Sequence, residues 1–442
     1  MDSLFRCWKS LRLRNCTTLL SSQWVSLSHI SNGQKSVAFR TNSCLASVAR
    51  PPAPRPRVLG TRACNELSLC GQGQRFACTA SAAAEPSSFP MGDGARGQTQ
   101  VRVLTYNVLH PPLCSVERFP QCKPEDLGEL VRWERIIEQL EEAIATGWPT
   151  IVCLQEVSEA WAAKFHSFFQ QRDWHFTFAV TPNMWPNPMG VALAWSNDAL
   201  RLEELEVTQV SAFLSLPTRP KLTWFEGLVT NFLSCISSDN TEHALESWTI
   251  AARRQNRLLI ARLRDRATGH MFVVATYHMP CLYGESSLRQ AKTIHAALLR
   301  GALIRFADGR DVVLAGDLNI KPSDPELQVL LDGATDVQED VIPQAVEGLD
   351  IETWALDGGL VLRSAYQDLL GSDPSFTNYA WIGGREAPFQ ETLDYVLVSS
   401  TVEVTDVRAL PTATPGDPVY PTAEEPSDHL LLWADLRFGV KE

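Results

Sequence analysis

The stretch Val312-Val-Leu-Ala-Gly-Asp-Leu-Asn319 decides the predicted fold, because an apolar run ends there in two polar side chains. Continuous apolar residues rich in β-branched side chains are typical of a strand buried on both faces. Asp317 and Asn319 follow the run with one residue between them. Alternate side chains of an extended segment lie on the same side. The carboxylate and the amide therefore emerge together at a strand end, where ligands bind in α/β sheets.

The pair Asp317 and Asn319 suits the hydrolysis of phosphate esters. A carboxylate can take a proton from water or bind a metal ion, and an amide can donate a hydrogen bond to a phosphate oxygen. An Asp-x-Asn sequence after a strand is also a common turn cap. The stretch by itself leaves both interpretations open.

Polar side chains end or interrupt four further predicted strands. The strands are Val101–Val108, Thr150–Val157, Phe272–His278 and Thr392–Leu397, and their polar residues are Asn107, Glu156, His278 and Asp394. Asp428 and His429 precede a last apolar strand, Leu430–Leu436. An unpaired buried charge costs several kcal/mol, so Glu156 requires a metal ion or a salt bridge. Each residue has an ordinary structural explanation, but chance hardly supplies five such strands together.

Helical and strand patterns alternate along the rest of the chain. Helices are predicted at Leu127–Ile144, Ser158–Gln171, Ser286–Arg300 and Pro325–Leu331, the last with Ser323 as its N-cap. Further strands are predicted at Trp174–Val180, Gly190–Trp195, Leu205–Val210 and Leu258–Leu263. Residues 211–249 lack clean periodicity and are predicted to form a packed loop or a substrate rim, whereas 332–360 is an acidic excursion.

Charge divides the chain into two unlike parts. Residues 1–65 contain ten Lys and Arg residues and one acidic residue, Asp2, so their net charge is +9. The whole chain carries −12, which leaves about −21 for the remainder. A basic segment rich in Ser, Thr and Leu is typical of an organellar transit peptide. We therefore expect a mitochondrial or plastid protein, or a cytoplasmic one if the segment is instead a disordered tail or follows a misplaced start codon.

Composition also sets the expected domain boundaries and partners. Linker-like segments lead us to predict a targeting segment at 1–65, a linker at 66–97 and one folded catalytic domain at 98–440.

No run of about 18 apolar residues occurs, so no membrane span is expected. The eleven Cys residues are scattered without a CxxC pair, which predicts reduced thiols. The acidic body argues against long duplex nucleic acid, whose affinity comes from basic phosphate contacts.

The ordered set of motifs resembles the endonuclease/exonuclease/phosphatase superfamily of metal-dependent phosphodiesterases. The matching motifs are LTYNVL, CLQEV, ATYHM, LAGDLN, TLDYV and PSDH, in that family's order. The resemblance implies an α/β fold of the DNase I type, a two-layer β-sandwich flanked by helices. It also implies a phosphoric ester hydrolase with Mg²⁺ as cofactor and Mn²⁺ as a substitute. Mg²⁺ prefers few carboxylates, with waters and substrate oxygens filling its octahedron.

The roles that the resemblance implies divide the polar residues into two groups. The implied metal ligands are Glu156, as the principal one, Asn107 and Asp428. Among the implied catalytic groups, Asp317 orients or deprotonates the attacking water, while Asn319 and His278 hold phosphate oxygens. His429 stabilises the charged phosphate, and Asp394 orients His429.

Three segments point to a subgroup within the superfamily. Leu362–Tyr366, Pro374–Asn378 and Thr392–Tyr395 resemble the carbon-catabolite-repressor-type deadenylases, including nocturnin and the angel proteins, and a 2′,5′-phosphodiesterase-like enzyme shares the motifs. The resemblance implies that Phe376 stacks on adenine, a contact worth about 1–3 kcal/mol, with Pro280 on the other face of the base. Asn378 is the third implied substrate contact. A core position is the alternative for Phe376.

The sequence therefore predicts a Mg²⁺-dependent 3′-exoribonuclease or phosphodiesterase. Its expected substrate is the 3′ end of single-stranded RNA or a small adenylate-containing nucleotide. A phosphatase of the same fold, acting on phosphoinositide, sphingomyelin or a dinucleotide 2′-phosphate, is the second hypothesis. A catalytically inactive binding protein is the alternative from a different class.

Overall fold

The computed structural model describes residues 97–182, 188–214, 240–334, 338–346, 349–351, 359–412 and 417–439. The predicted targeting segment 1–65 lies outside these ranges, as does all but the last residue of the predicted linker 66–97. Residues 215–239, part of the segment predicted to be a packed loop or rim, also lie outside them.

Fourteen strands occur in the described residues, and twelve of them form two six-stranded sheets. In chain order they are β1 Thr99–Asn107, β2 Thr150–Ser158, β3 Trp174–Val180, β4 Met189–Ser196, β5 Leu200–Gln209, β6 Arg257–Asp265, β7 Met271–Tyr277, β8 Val312–Asp317, β9 Leu362–Ser364, β10 Asn378–Ala380, β11 Phe389–Glu391, β12 Asp394–Ser399, β13 Glu403–Val407 and β14 Leu432–Phe438. The remaining two, β10 and β11, pair as an antiparallel hairpin.

The two large sheets share one plan. The first has the order β13-β14-β1-β2-β4-β3 and the second the order β5-β6-β7-β8-β12-β9. Each has a parallel pair at its centre, β1 with β2 and β7 with β8, and antiparallel pairs elsewhere. The carboxyl ends of both parallel pairs are therefore available to build one site.

Helices cover the outer faces of the sheets. They are α1 Glu129–Ile144, α2 Glu159–Gln170, α3 Asn240–Arg253, α4 Ser286–Ala307, α5 Pro325–Leu331 and α6 Ala365–Leu370, with single 3-10 turns at Pro111–Leu113, Pro124–Asp126, Val210–Phe213 and Glu339–Val341. Within the described part of the chain, none of these helices has the length and apolar character of a membrane span.

Apolar side chains pack in three layers. The central layer lies between the sheets and includes Val103 and Cys153 from one sheet and Val274 and Val313 from the other. A second layer joins the first sheet to α1 and α2, and a third joins the second sheet to α3, α4 and α5. The predicted two-layer sandwich flanked by helices is confirmed.

Most predicted elements are found within one to five residues of their expected ends, but two predictions are wrong. Residues 240–249 belong to helix α3 rather than to a packed loop, because tertiary packing of Trp248 on α4 supplies the apolar face that the local pattern lacks. Asp324, not Ser323, occupies the N-cap of α5. The Asp324 side chain accepts no hydrogen bond from the first turn of α5. Its Oδ2 accepts one from the backbone N–H of Lys321, three residues earlier.

Gly316 allows β8 to approach β7 closely. A Cβ atom at this position would lie 2.1 Å from the carbonyl oxygen of Tyr277, which is far inside van der Waals contact. The backbone carbonyl cannot move without breaking the parallel pairing of the two strands. The glycine therefore sets the position of the next residue, Asp317.

The Gly316→Ala substitution is expected to lower the free energy of unfolding by about 3 kcal/mol, since the added methyl overpacks the strand pair. The urea midpoint, with an unchanged m-value, measures this loss. Gly128→Ala is the matched control, because its Cβ would meet Val131 at an ordinary 3.8 Å. Equal midpoints for the two variants would contradict the steric argument.

Candidate active site

The ends of the central strands bring the predicted residues together. Asn107 is the last residue of β1, Asp317 is the last residue of β8, and His278 directly follows β7. Asn107 Nδ2 donates a hydrogen bond to Asp317 Oδ2 at 2.9 Å, across the space between the two sheets. The carboxyl ends of both parallel pairs therefore meet at one edge of the sandwich.

Two further segments reach this edge from strands that run in the opposite direction. Asp394 begins β12 and lies opposite Asp317 in the pairing with β8. Asp428 and His429 lie shortly before β14, and a β-bridge joins His429 to Asn378. The beginning of an antiparallel strand lies beside the end of its neighbour, so these residues join the same site.

Left-handed backbone marks Glu156 and Asn319. The φ angle is +57° at Glu156 and +48° at Asn319, values that are uncommon for residues other than glycine. At Glu156 the cause is a β-bulge, since β2 has one residue more than β4 between two successive pairs. A bulge redirects a side chain, and Glu156 lines the cavity described below although its neighbours in β2 are core residues.

Asp317 is a buried carboxylate surrounded by donors. Besides Asn107, the backbone N–H of Asn319 donates to its Oδ1 at 3.0 Å. The Nε2 atoms of His278 and His429 lie 3.4 and 3.7 Å from its Oδ2. Burial raises the pKa of Asp317, but the charge of His429 and the contacts with His278 and Asn107 outweigh burial and hold the pKa at about 2. Asp317 is therefore ionised throughout the neutral pH range.

His429 and Asp394 form a hydrogen-bonded pair. His429 Nδ1 lies 2.8 Å from Asp394 Oδ2, which also accepts a 2.6 Å hydrogen bond from the Thr377 hydroxyl. Burial raises the pKa of Asp394 to about 6. Burial lowers the pKa of His429, but the carboxylates of Asp394 and Asp317 outweigh burial and raise it well above its usual value. The raised pKa favours the imidazolium form of the ring, which the hydrogen bond to Asp394 orients.

Glu156 and Asp428 fit a divalent cation. Glu156 Oε2 accepts a hydrogen bond from the backbone N–H of His110 at 2.9 Å. Asp428 is only 6% exposed, and its Oδ1 accepts no hydrogen bond from any described residue. Burial and the nearby charge of Glu156 both raise the pKa of Asp428. Two carboxylates that repel each other beside an unsatisfied buried oxygen are the donors that a hard cation requires.

A second arrangement of acidic and histidine side chains overlaps this one. Asp317, Asp394 and His429 each place one potential ligand atom within 4.8 Å of the others. The contact of His429 with Asp394 is already a hydrogen bond that uses Nδ1. In the arrangement with Glu156 and Asp428, a buried carboxylate oxygen accepts no hydrogen bond from any described residue.

One open cavity of about 490 Å³ joins these groups, a volume in the range of small-molecule sites. Eight predicted site residues line it: Glu156, His278, Pro280, Asp317, Asn319, Asn378, Asp428 and His429. Three others, Asn107, Asp394 and Phe376, are buried behind its wall or away from it.

The structure shows what two of these three contact. Asn107 is fully buried, its Nδ2 donates to Asp317 Oδ2 and its Oδ1 accepts from the backbone N–H of Leu109 at 3.0 Å, so it orients Asp317, and its contact with a metal ion stays a prediction. Phe376 is fully buried between the sheets, with its ring 5.6 Å from that of Tyr379. Stacking of Phe376 on a base is therefore wrong, and the core alternative is right.

The sequence did not predict several of the residues that line the cavity. Phe389 of β11 is a half-buried aromatic on the wall, and Arg118 and Arg385 lie on loops beside it. Arg253, the last residue of α3, and Arg254 after it also line the cavity. The positive charge of these arginines in an otherwise acidic catalytic domain was the signal that the sequence offered. Their loops show no hydrophobic periodicity, so the sequence does not predict where the arginines lie.

A buried lysine braces the strained loop at Asn319. Lys292 is 1% exposed, and its Nζ lies 3.3 Å from both the carbonyl oxygen of Asn319 and Asp324 Oδ2. The Tyr283 hydroxyl donates to the same carbonyl at 2.8 Å. The Asn319 amide in turn donates to the carbonyl of Met279 at 3.0 Å. These contacts offset the backbone cost of the left-handed conformation and keep Asn319 on the cavity wall.

The two-sheet sandwich and a cavity that combines acidic, amide and imidazole groups agree with the motif resemblance found in the sequence. The chain belongs to the Endonuclease/Exonuclease/phosphatase family, whose model matches residues 104–429. The matched range begins in β1 and ends at His429, so it contains all the polar groups described above.

Two curated proteins are similar to the chain at low identity. One is the CCR4-Not complex 3'-5'-exoribonuclease subunit Ccr4 of Phaeosphaeria nodorum, 21% identical over 387 residues, covering 76% of this chain and 59% of that protein. The other is Nocturnin of Drosophila melanogaster, 24% identical over 352 residues, covering 76% and 46%. The chain thus spans about half the length of the curated relatives it matches.

Solved structures share the fold. The structure of ANGEL2, a 2',3'-cyclic phosphatase, in complex with adenosine-2',3'-vanadate matches with a TM-score of 0.55 and 18% identity. The match covers 77% of this chain and 96% of that one. The likeness extends over nearly the whole of that domain, which agrees with the sandwich described above.

Asp394→Asn is expected to lower kcat roughly hundredfold or more while KM changes little, because the amide no longer holds the His429 imidazolium. Steady-state kinetics on a nucleotide phosphodiester measures the effect. Asp435→Asn is the control, since Asp435 is a buried carboxylate paired at 2.7 Å with Arg102 and does not line the cavity. A kcat loss of the same size in both variants would indicate general destabilisation instead.

Proposed function

We propose that the protein is a Mg²⁺-dependent phosphodiesterase that acts on the 3′ end of single-stranded RNA or on adenylate-containing nucleotides. One observation carries the proposal: Glu156 and Asp428 share a cavity with Asp317 and with an imidazolium held by Asp394. A related protein named as a 3'-5'-exoribonuclease subunit supports a nucleotide substrate.

Each side chain has a distinct task in this reaction. Asp317, with a pKa near 2, is a weak base, so its task is to orient the attacking water through a hydrogen bond. The amide of Asn319 and the ring of His278 lie on the same wall and can donate to non-bridging phosphate oxygens. His429 supplies a positive charge where negative charge develops in the transition state.

Mg²⁺ would be held by Glu156 and Asp428, and it would polarise the phosphoryl group. The buried, unpartnered Oδ1 of Asp428 supports this assignment, because such an oxygen otherwise costs about 1–3 kcal/mol. A nucleobase also needs an aromatic surface on which to stack. The half-buried ring of Phe389 on the cavity wall supplies such a surface. The substrate contacts of this proposal are then Phe389, Pro280 and Asn378.

Purified full-length protein is expected to release mononucleotides from oligo(A) or 2′,5′-oligoadenylate in the presence of Mg²⁺, whereas release of the 2′-phosphate from NADP(H) is the reaction of the phosphatase hypothesis. Chromatographic product analysis on this panel, with inositol phosphates added, separates the alternatives. Hydrolysis of inositol phosphates alone would refute the nucleotide assignment and support the phosphatase hypothesis.

Glu156→Gln and Asp428→Asn are each expected to weaken binding of Mn²⁺, used as a probe for Mg²⁺, by roughly tenfold or more, because each removes one anionic oxygen donor. Calorimetric titration of the protein without substrate measures this loss independently of turnover. Glu138→Gln is the control, since Glu138 is exposed on α1 and lies away from the cavity. Unchanged affinity in both cavity variants would place the cation elsewhere.

A further inference from the structure

Two arginines on the cavity wall have no task in the proposed reaction. Arg118 lies on the loop after β1, and Arg385 lies on the loop between β10 and β11. We propose that Arg118 and Arg385 form a second anion subsite, which binds a phosphate of the substrate other than the one that is cleaved. This inference rests on the proposed phosphodiesterase function and narrows its substrate to nucleotides with at least two phosphates.

Arg118 is a cation without a counter-ion. Its guanidinium forms no ion pair or hydrogen bond with any described residue, although its Nε is buried from solvent. By contrast, Arg102 is paired with Asp435, and Arg135 is paired with Asp126 at 2.8 Å. An unsatisfied buried donor costs about 1–3 kcal/mol, and a bound anion would remove that cost.

Arg118 is separate from the groups that surround Asp317. It lines the same cavity as Asp428 and Asp317. Among the described residues, the side chains that reach Asp317 Oδ2 are Asn107, His278 and His429, and Arg118 forms no ion pair with it. An anion on Arg118 therefore binds in a different part of the cavity from the carboxylate that orients the attacking water.

Backbone contacts fix the two arginine loops together. The backbone N–H of Gly383 donates to the carbonyl of Arg118 at 2.8 Å, and a Cβ on Gly383 would lie 2.5 Å from the carbonyl oxygen of Glu117. The Trp381 indole N–H donates to the carbonyl of Arg385 at 3.0 Å, which closes the turn that carries this side chain. The backbones of the two loops are thus joined beside the cavity that both arginine side chains line.

The chemistry of the subsite points to a nucleotide phosphate. Guanidinium groups bind phosphate through paired N–H donors, and their charge does not titrate in the neutral range. The guanidinium carbon of Arg385 and the Nζ of Lys321 lie 5.6 and 5.7 Å from the ring centroid of Phe389, so an aromatic side chain adjoins the anion site. The part of the cavity that would hold a second phosphate therefore lies next to an aromatic residue.

The test compares two dinucleotides that differ by one phosphate: adenylyl-(3′→5′)-adenosine and its 5′-phosphorylated form. Wild-type protein is expected to cleave the phosphorylated form with a kcat/KM roughly tenfold higher, mainly through KM. Arg118→Gln should lose most of this preference, so that the ratio of its kcat/KM values for the two dinucleotides falls towards one, because only the phosphorylated form has a phosphate for the subsite. Arg118→Lys should keep part of it.

Arg201→Gln is the control, because it makes the same charge change on the exposed part of β5, away from the cavity. Equal cleavage of both dinucleotides by wild-type protein, or an equal loss on both in Arg118→Gln, would overturn the subsite while leaving the proposed function standing. If neither is cleaved, calorimetry still decides the subsite: wild-type protein that binds both with the same affinity rules it out.

Discussion

The buried hydrogen bond from Asn107 to Asp317 is the interaction on which the site depends, because it joins the two sheets at their shared edge. An isolated carboxylate at this depth would be too costly to keep ionised. The amide of Asn107, the backbone N–H of Asn319 and two nearby imidazoles offset that cost. The same contacts that make the charge tolerable also fix its direction, so stability and positioning have one cause.

A polar layer extends this junction into the core. Gln155 Nε2 donates to Thr276 Oγ1 at 3.1 Å, across the sheets, and to Thr105 Oγ1 at 3.0 Å on the neighbouring strand. Buried polar groups that satisfy one another specify a single relative arrangement of the elements that carry them. The two sheets are thereby held in register next to the cavity, where a small slip would separate the donors on one sheet from Asp317 on the other.

Strand patterning made the sandwich and most of the cavity predictable. Apolar runs such as the one before Asp317 set the strand, and the polar residue that ends each run had to lie at a sheet edge. The pattern failed where packing decides, as at Phe376, whose aromatic ring suits a base and a core equally well. It also failed at Arg118 and Phe389, which lie in a loop and a three-residue strand with no period to read.

The order of apolar runs and polar ends along the chain, together with the motif resemblance, was enough to predict the fold class, the family and eight of the residues that line the cavity, since each strand buries its apolar side chains whatever its partners are. The tertiary structure alone decided what each polar group does there. Asn107 became a support for Asp317 because a neighbouring sheet brought the carboxylate within 2.9 Å. The hydrogen-bond partners of a polar group and the dielectric around it depend on distances between segments that are up to about three hundred residues apart in the chain. The local sequence does not contain these distances.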